Sequence, residues 1–281
     1  QALSIMNPTV SLSDVDIVAN RNSLRKLLDF SAGKRLDPFA MGLNMIKDTL
    51  VLSRKEQSAR YMVHGASNSG YGHNFEKAFT MAQDEMENSS SHHRVIRYRM
   101  GPLNCVVRFE VDAYFDDPDA KQESEPEQSI SDITAAMSHL DVASHSPETK
   151  HTTKVFQKGV SVPASQLAEI KAKRAGRLAD ALPQLWFGRT PYFMNGNHVM
   201  GTVHSVTVVH AATEFAQWEQ QHQDRLRKMV GLLVALKTAV KGLRGGAAVL
   251  VYDEKGGALK VYKAKRDGGV LPGESIERYW R

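Results

Sequence analysis

The pentapeptide Arg-Phe-Glu-Val-Asp at residues 108–112 is the stretch that decides the fold. It ends a run in which apolar and polar residues alternate. Because side chains of an extended strand alternate between its two faces, Glu110 and Asp112 share one face. Phe109 and Val111 belong to the opposite, apolar face. The pattern predicts a strand that ends in two carboxylates.

A second stretch, Glu-Ile-Lys-Ala-Lys at residues 169–173, repeats this arrangement. Glu169 and Lys171 share one face of the predicted strand, and Ile170 points to the other. If this strand pairs with the first, the carboxylates of Glu110, Asp112 and Glu169 converge beside the Lys171 ammonium. A divalent cation would relieve the cost of clustering these acids.

Such a cluster is suited to phosphodiester hydrolysis, in which one or two Mg²⁺ or Mn²⁺ ions activate water and stabilise the scissile phosphate. Asp112 and Glu169 are the natural ligands, and Glu110 can bind a second ion or an ion-bound water. The carbonyl of Ile170 lies within reach of the same ion, and Lys171 would orient the water or stabilise developing charge. The alternative is that all of these are solvated charges on exposed strands.

The charge of the chain favours a polyanionic partner. Its formal net charge is +5, from 36 basic and 31 acidic side chains. Residues 116–150 hold nine acidic and two basic ones, which leaves 34 basic and 22 acidic side chains elsewhere, a net +12. This excess predicts nucleic acid as the partner.

Basic residues flank both charged strands. Those that could contact phosphates are Arg97, Arg99, Arg108, Lys173, Arg174 and Arg177. A polyanion that passes the metal ions would need such contacts. Ordinary solvated surface charge is the alternative.

Other compositional features exclude several classes of protein. The single cysteine, Cys105, excludes an intramolecular disulfide and a Cys-rich zinc site, and its place on an apolar face predicts an inert core thiol. No stretch approaches the roughly 18 apolar residues of a membrane span, and the residues after Gln1 show no secretion signal. We therefore expect an intracellular protein, nuclear or cytoplasmic, with no membrane partner.

Strand and helix patterns alternate along the chain, which predicts an α/β (α+β) domain over 1–281 with a mixed sheet flanked by helices. A polar, acidic segment at about 116–154 lacks apolar residues for a core and is predicted to be a flexible insertion. Predicted helices cover 14–30, with a break near 20–23 as the alternative, and 74–86, 176–187 and 213–241. Predicted strands cover 48–54, 95–100, 103–114, 166–173, 192–194 and 199–210, with a turn at 195–197 and a closing hairpin at 248–264.

The order of four motifs adds a resemblance to a known family. Gly-Tyr-Gly-His-Asn-Phe-Glu at 70–76 is followed by Glu-Val-Asp at 110–112, Glu-Ile-Lys at 169–171 and Gln-Leu-Trp-Phe-Gly at 184–188. This series resembles that of the PD-(D/E)XK nuclease superfamily. It is most similar to the DXO-type branch, which removes defective caps and 5′ phosphates from RNA and can degrade the chain.

The resemblance implies a PD-(D/E)XK-like fold and a preference for RNA over DNA. It also implies that Glu76 joins Glu110, Asp112 and Glu169 around the metals, and that Gln184 holds substrate or water. Arg54 would correspond to an upstream arginine near the substrate. A catalytically inactive nucleic-acid-binding or protein-interaction module with this fold is the alternative function.

The chain is also similar to a family of fungal proteins often labelled geranylgeranyl pyrophosphate synthetase. The shared segments include Asn-Arg-Asn at 20–22 and Leu-Trp-Phe at 185–187. Isoprenyl synthases use paired Asp-Asp-x-x-Asp motifs on helices, whereas Asp-Asp-Pro-Asp at 116–119 has another spacing and no partner motif. Prenyl transfer is therefore not the expected activity.

Overall fold

The computed structural model describes residues 2–34, 36–55, 71–117, 155–173, 176–265 and 270–281. Arg174 and most of the predicted acidic insertion, residues 118–154, lie outside the described residues.

Within the described residues, the strands form two sheets. The larger contains β1 (Ile17–Asn20), β2 (Phe39–Ile46), β3 (Thr49–Lys55), β4 (His92–Met100), β5 (Leu103–Val111), β10 (Ala247–Tyr252) and β11 (Lys260–Lys263). The smaller contains β6 (Ala113–Tyr114), β7 (Leu167–Lys173), β8 (Tyr192–Val199) and β9 (Thr202–His210). The α-helices are α1 (Ala2–Met6), α2 (Arg21–Ser31), α3 (Tyr71–Phe79), α4 (Leu178–Gly188), α5 (Phe215–Gln221), α6 (Gln223–Lys241) and α7 (Gly273–Tyr279).

Both sheets are mixed. The strand order of the larger sheet is β11-β10-β2-β3-β1-β5-β4, in which β1 runs parallel to β3 and to β5. The order of the smaller sheet is β6-β7-β8-β9, in which β7 and β8 are parallel. The predicted α/β class is confirmed, with two mixed sheets in place of the single sheet that the sequence predicted.

The main core lies between one face of the larger sheet and helices α2, α4 and α6. Leu24, Leu27 and Leu28 of α2 recur at the i, i+3, i+4 spacing that places them on one helix face, and all three are buried. Cys105 belongs to the same core, and burial raises the pKa of its thiol to about 12. A second apolar cluster on the opposite face of the sheet includes Val106, Tyr279 and Trp280.

The predicted helix over 14–30 is wrong in its first part. Ile17–Asn20 forms β1, and the helix begins only at Arg21. β1 lies between two parallel neighbours, and Ile17 and Ala19 are almost completely buried there. A strand enclosed in this way is typically a short apolar run. The apolar residues of β1 continue the helical spacing of those in α2, so the sequence pattern does not show where the strand ends and the helix begins.

The predicted turn at 195–197 is also wrong, because β8 continues through Asn195 and Asn197 to Val199. Asn195 pairs in register with Lys171 of β7 and Thr207 of β9. The chain reverses instead at Met200 and Gly201, both of which have positive φ. Two residues with positive φ match the twist of a tight hairpin.

The predicted helix over 213–241 is divided into α5 and α6, with a break at His222. Within the described residues, no helix has the length and apolar content needed to cross a membrane.

Candidate metal and active site

The two sheets meet at Asp112. This residue stands between β5 and β6, where the chain leaves the larger sheet and joins the smaller one. Ala113 of β6 pairs with Ala168 of β7, so the pairing expected between the two charged strands forms through β6 and not through β5. The side chain of Asp112 therefore lies beside β7, and its Oδ2 accepts a 2.8 Å hydrogen bond from the backbone N–H of Ile170.

Glu169 is the most deeply buried acid of the site, with a side chain that is 1 % exposed. Its Oε1 accepts hydrogen bonds from Nζ of Lys171 and Nε2 of Gln184. Its Oε2 lies 3.1 Å from Nη1 of Arg21. A carboxylate buried this far needs such compensation, because burial of an unpaired charge is costly.

The ammonium of Lys171 contacts both carboxylates. Besides its bond to Glu169, Nζ lies 3.8 Å from Oδ2 of Asp112. The pKa of Asp112 is raised to about 7, first by burial and then by the neighbouring charge of Glu169. The Lys171 charge and the Ile170 N–H act in the opposite direction. The structure therefore brings together Asp112, Glu169, Lys171 and Gln184, four of the six predicted catalytic residues.

Gln184 is positioned by α4, which continues through Pro183 to Gly188. Its amide bridges two charged groups, because Nε2 donates to Glu169 while Oε1 accepts a 2.8 Å hydrogen bond from Nη1 of Arg25. Burial lowers the pKa of Arg25. The amide thus fixes the orientation of the Glu169 carboxylate.

Sequence reasoning missed the roles of Arg21 and Arg25. Arg21 is 8 % exposed, its guanidinium lies over the ring of Phe109 at 5.2 Å, and it forms the ion pair with Glu169. The sequence pattern that could have indicated these roles lies in α2. Arg21 and Arg25 are four residues apart there, beside the buried Leu24 and Leu28. Two arginines at this spacing beside a core stripe indicate buried acidic partners.

The structure does not bring Glu76 or Glu110 into this set. Glu76 lies half-buried on α3, and Glu110 is exposed on β5 opposite His93 of β4. Among the described residues, neither glutamate completes a group of three acids with Asp112 and Glu169 that could hold a metal ion. Ile170 is present at the site through its backbone N–H.

The predicted phosphate-contacting residues are dispersed. Arg97 pairs with Asp14, Arg108 donates a 3.4 Å hydrogen bond to Asn20, and Arg177 lies 3.1 Å from Asp180. Strand alternation places Arg108 on the face of β5 opposite Phe109, and the register of β4 and β5 places Arg97 and Arg99 on that same face. Arg54 and Lys173 are exposed at the ends of β3 and β7.

The carboxylates of the site suit a divalent cation as a pair. Within the described ranges, no three His, Cys, Asp or Glu side chains gather closely enough to hold a metal ion. Asp112 and Glu169 nevertheless fit a hard cation, because both are carboxylates, burial and then the charge of Glu169 raise the pKa of Asp112, and a positive charge already contacts both. The pair could hold an ion with help from water, substrate or a third ligand.

The family of the chain follows from its sequence. The sequence matches the family described as Domain of unknown function (DUF8563) over residues 1–280. The chain belongs to the DUF8563 family. A comparison of this DUF8563 chain with curated proteins returned no match.

Solved structures share the fold of the DUF8563 chain at very low sequence identity. Rai1 of S. pombe has a TM-score of 0.59 at 11% identity, with 93% of this chain and 75% of that chain covered. Rai1 of Candida albicans in complex with pU5-Mn2+ has a TM-score of 0.57 at 12% identity, with 94% and 74% covered. Dxo1 of K. lactis in complex with manganese has a TM-score of 0.55 at 9% identity, with 96% and 71% covered.

These likenesses establish that the DUF8563 chain has a fold similar to that of Rai1 and Dxo1. They agree with the resemblance to the DXO-type branch. The resemblance to fungal proteins labelled geranylgeranyl pyrophosphate synthetase gains no support from them.

Proposed function

We propose that the chain is a hydrolase that uses Mg²⁺ or Mn²⁺ to cleave phosphate bonds of nucleic acid, with RNA 5′ ends as its substrate. The observation that carries this proposal is the contact of one ammonium, Lys171, with the carboxylates of both Asp112 and Glu169. Two acids beside a lysine, at the junction of two sheets, supply a cation site and a charge for a phosphate in one place.

Asp112 and Glu169 would hold the ion. Glu110, Glu76 and the carbonyl of Ile170 are proposed as further ligands or as acceptors for ion-bound water. When bound, the ion would act as a Lewis acid toward the phosphate and lower the pKa of a coordinated water.

The remaining groups act through charge and orientation. The Lys171 ammonium would donate to a phosphate oxygen that gains negative charge in the transition state. Gln184 and Arg21 hold the two oxygens of Glu169, so the carboxylate is oriented before a substrate binds. Buried partners of this kind are the usual means of fixing a ligand's geometry.

RNA is proposed as the partner on two grounds. The chain carries a net +12 outside residues 116–150. Rai1 of Candida albicans, which shares the fold, was solved with pU5 and Mn2+. The proposed phosphate contacts are Arg54, Arg97, Arg99, Arg108, Lys173, Arg174 and Arg177.

The proposal is tested with 3′-labelled RNAs that differ only at the 5′ end, namely hydroxyl, monophosphate, triphosphate and unmethylated cap, and with matched DNA. With Mg²⁺ or Mn²⁺ we expect removal of the 5′ group or shortening of RNA, and EDTA should abolish it.

A non-catalytic binding module is the second candidate, and one observation favours it. Lys171 and Gln184 already donate hydrogen bonds to Oε1 of Glu169, and the Arg21 charge already lies beside Oε2, which accepts no hydrogen bond from the described residues. If the protein binds all these RNAs and leaves each intact with both metals, the binding module replaces the hydrolase.

A further inference from the structure

A small pocket lies at the beginning of α2, on the side of the helix that faces β2 and β3. It is lined by Asn22, Ser23, Lys26, Ala40, Met41 and Arg54. Its cavity volume is about 10 Å³, room for one water-sized atom. The pocket can therefore take one oxygen of a larger group and not a whole ligand.

The helix supplies backbone donors at the pocket. α2 follows β1 directly, and its N-cap residue, Asn20, makes no side-chain capping hydrogen bond. The first-turn N–H groups of a helix have no partner within the helix, and they carry the positive end of its dipole. In sheets with parallel strands, anionic ligands commonly bind at this end of the strands, beside a helix N-terminus.

An independent observation at Ser23 also indicates a ligand. Its side chain lines the pocket although the residue is only 1 % exposed. Among the described residues, the buried Oγ has no hydrogen-bond partner. A buried hydroxyl is costly to leave unpaired, so a ligand oxygen in the pocket would satisfy it.

Two cations complete the lining. The Lys26 ammonium lies 5.5 Å from the ring centroid of Phe39, a cation–π contact that holds it beside β2. Arg54 lines the pocket from β3. The described lining residues include no carboxylate. Two cations, backbone N–H groups and a hydroxyl are together the donor set that a phosphate group accepts.

The pocket adjoins the carboxylate site. Arg21, the residue before Asn22, lies 3.1 Å from Glu169. Residues 21 and 25 form one stripe of α2 that faces the site, and residues 22 and 26 form the adjacent stripe that faces the pocket. The carboxylate site and the pocket therefore lie on adjacent sides of the same turns of α2.

We propose that this pocket binds a phosphate group. The identity of its carrier rests on the proposed function: the group belongs to the RNA strand whose reacting phosphate lies at Asp112 and Glu169.

The pocket is tested first with inorganic phosphate alone, added to ¹⁵N-labelled full chain at constant ionic strength with chloride as the balancing anion. The amide signals of residues 22 and 23 should shift saturably. Ser23→Ala and Lys26→Gln should each weaken phosphate binding about tenfold, the effect of losing one hydrogen bond to a charged group. Lys228→Gln, which removes an exposed charge of α6, should leave the affinity unchanged.

The pocket proposal is overturned if these two amides do not shift saturably, or if both variants bind phosphate as tightly as wild type. Two substitutions are used so that a folding defect in one does not decide the result.

The carrier is tested by fluorescence anisotropy with a short RNA in EDTA. Lys26→Gln should weaken binding and lower the slope of log affinity against log salt by about 1. If phosphate binding falls in both variants while RNA affinity does not, a free phosphate or nucleotide is the ligand and the assignment to RNA is overturned. Neither measurement depends on cleavage of RNA. Failure of the proposed hydrolase activity would therefore leave both results unchanged.

Discussion

Nη1 of Arg21 lies 3.1 Å from Oε2 of Glu169, and this buried ion pair joins the two sheets. Arg21 opens α2 at the end of β1 in the larger sheet, and Glu169 lies in β7 of the smaller one. The side chains are 10% and 1% exposed, so solvent screens the pair little. The orientation of Glu169 thus depends on a residue far away in the sequence.

Replacement of Arg21 should destabilise the protein through Glu169. We expect Arg21→Met to lower the free energy of unfolding by about 3 kcal/mol, because it leaves a buried carboxylate with one cation fewer. In a Glu169→Gln background the same substitution should cost less than about 1 kcal/mol, since no buried charge is left unpaired. Urea denaturation of the four proteins in EDTA measures this coupling. An equal cost in both backgrounds would show that Arg21 acts only through packing on Phe109.

The pKa of Asp112 predicts a pH-dependent stability. Its folded-state pKa is raised to about 7 from an ordinary value of 3.8, so the folded protein binds more protons between these values. This group therefore makes the protein less stable as pH rises from about 4 to about 7. Asp112→Asn removes the effect and can still accept the Ile170 N–H bond.

In EDTA we expect Asp112→Asn to be more stable than wild type at pH 8 by about 2 kcal/mol, with the difference shrinking toward pH 4. Titrating groups away from the site contribute equally to both proteins, so the difference reports on Asp112 and its charged neighbours. A difference that is constant from pH 4 to pH 8 would contradict the raised pKa.

Metal binding should depend on the two carboxylates. Calorimetric titration with Mn²⁺ at pH 8 should show binding to wild type and at least about tenfold weaker binding to Asp112→Asn and to Glu169→Gln, because each loses a charged ligand. Affinity of wild type should fall about tenfold from pH 8 to pH 6, as protons compete for Asp112. Asp224→Asn, an exposed acid of α6, is the control. Unchanged affinity in both variants would remove these residues from the metal site.

The position of α3, which carries Glu76, depends on close packing at Gly196. A Cβ at residue 196 would lie 2.3 Å from the ring of Phe75, so Gly196→Ala must displace the ring by which α3 packs on β8. We expect a loss of about 1–3 kcal/mol and a drop in any metal-dependent activity. Gly231→Ala is the matched control, since nothing lies within 4 Å of a Cβ there. It should be neutral or stabilising by about 1 kcal/mol. Normal activity in a destabilised Gly196→Ala would separate Glu76 from the site.

Local patterns predicted the strands that carry the site. The alternation in β5 and β7 depends only on neighbouring residues, and the hairpin of β4 and β5 turns at Gly101 and Pro102 as predicted. The pairing of these strands could not be predicted in detail. It depends on the change of sheet at Asp112, which single-strand periodicity does not encode.

The partners of Glu169 were harder to predict for a different reason. Lys171 lies two residues away in the same strand, but Arg21 and Gln184 approach from separate helices. Their approach follows from the packing of α2 and α4 over the sheets. Only the order of the four motifs indicates a role for Gln184. Arg21 lies in segment 20–22, which carries the resemblance to the fungal proteins, and no motif assigns it to the site.

Asp112, Glu169 and Lys171 are proposed to form a metal-dependent site for cleavage of RNA. The most direct test is the single-turnover rate of RNA cleavage in Mn²⁺ for wild type, Lys171→Ala and Asp112→Asn, with EDTA as the blank. Lys171→Ala should retain its fold and much of its Mn²⁺ affinity while the rate falls about 10²- to 10³-fold, the cost of losing one transition-state charge contact. Asp112→Asn should lose more, since it also loses a metal ligand. Cleavage that persists undiminished in Asp112→Asn, or a wild type that binds RNA and never cleaves it with Mn²⁺ or Mg²⁺, would contradict the account.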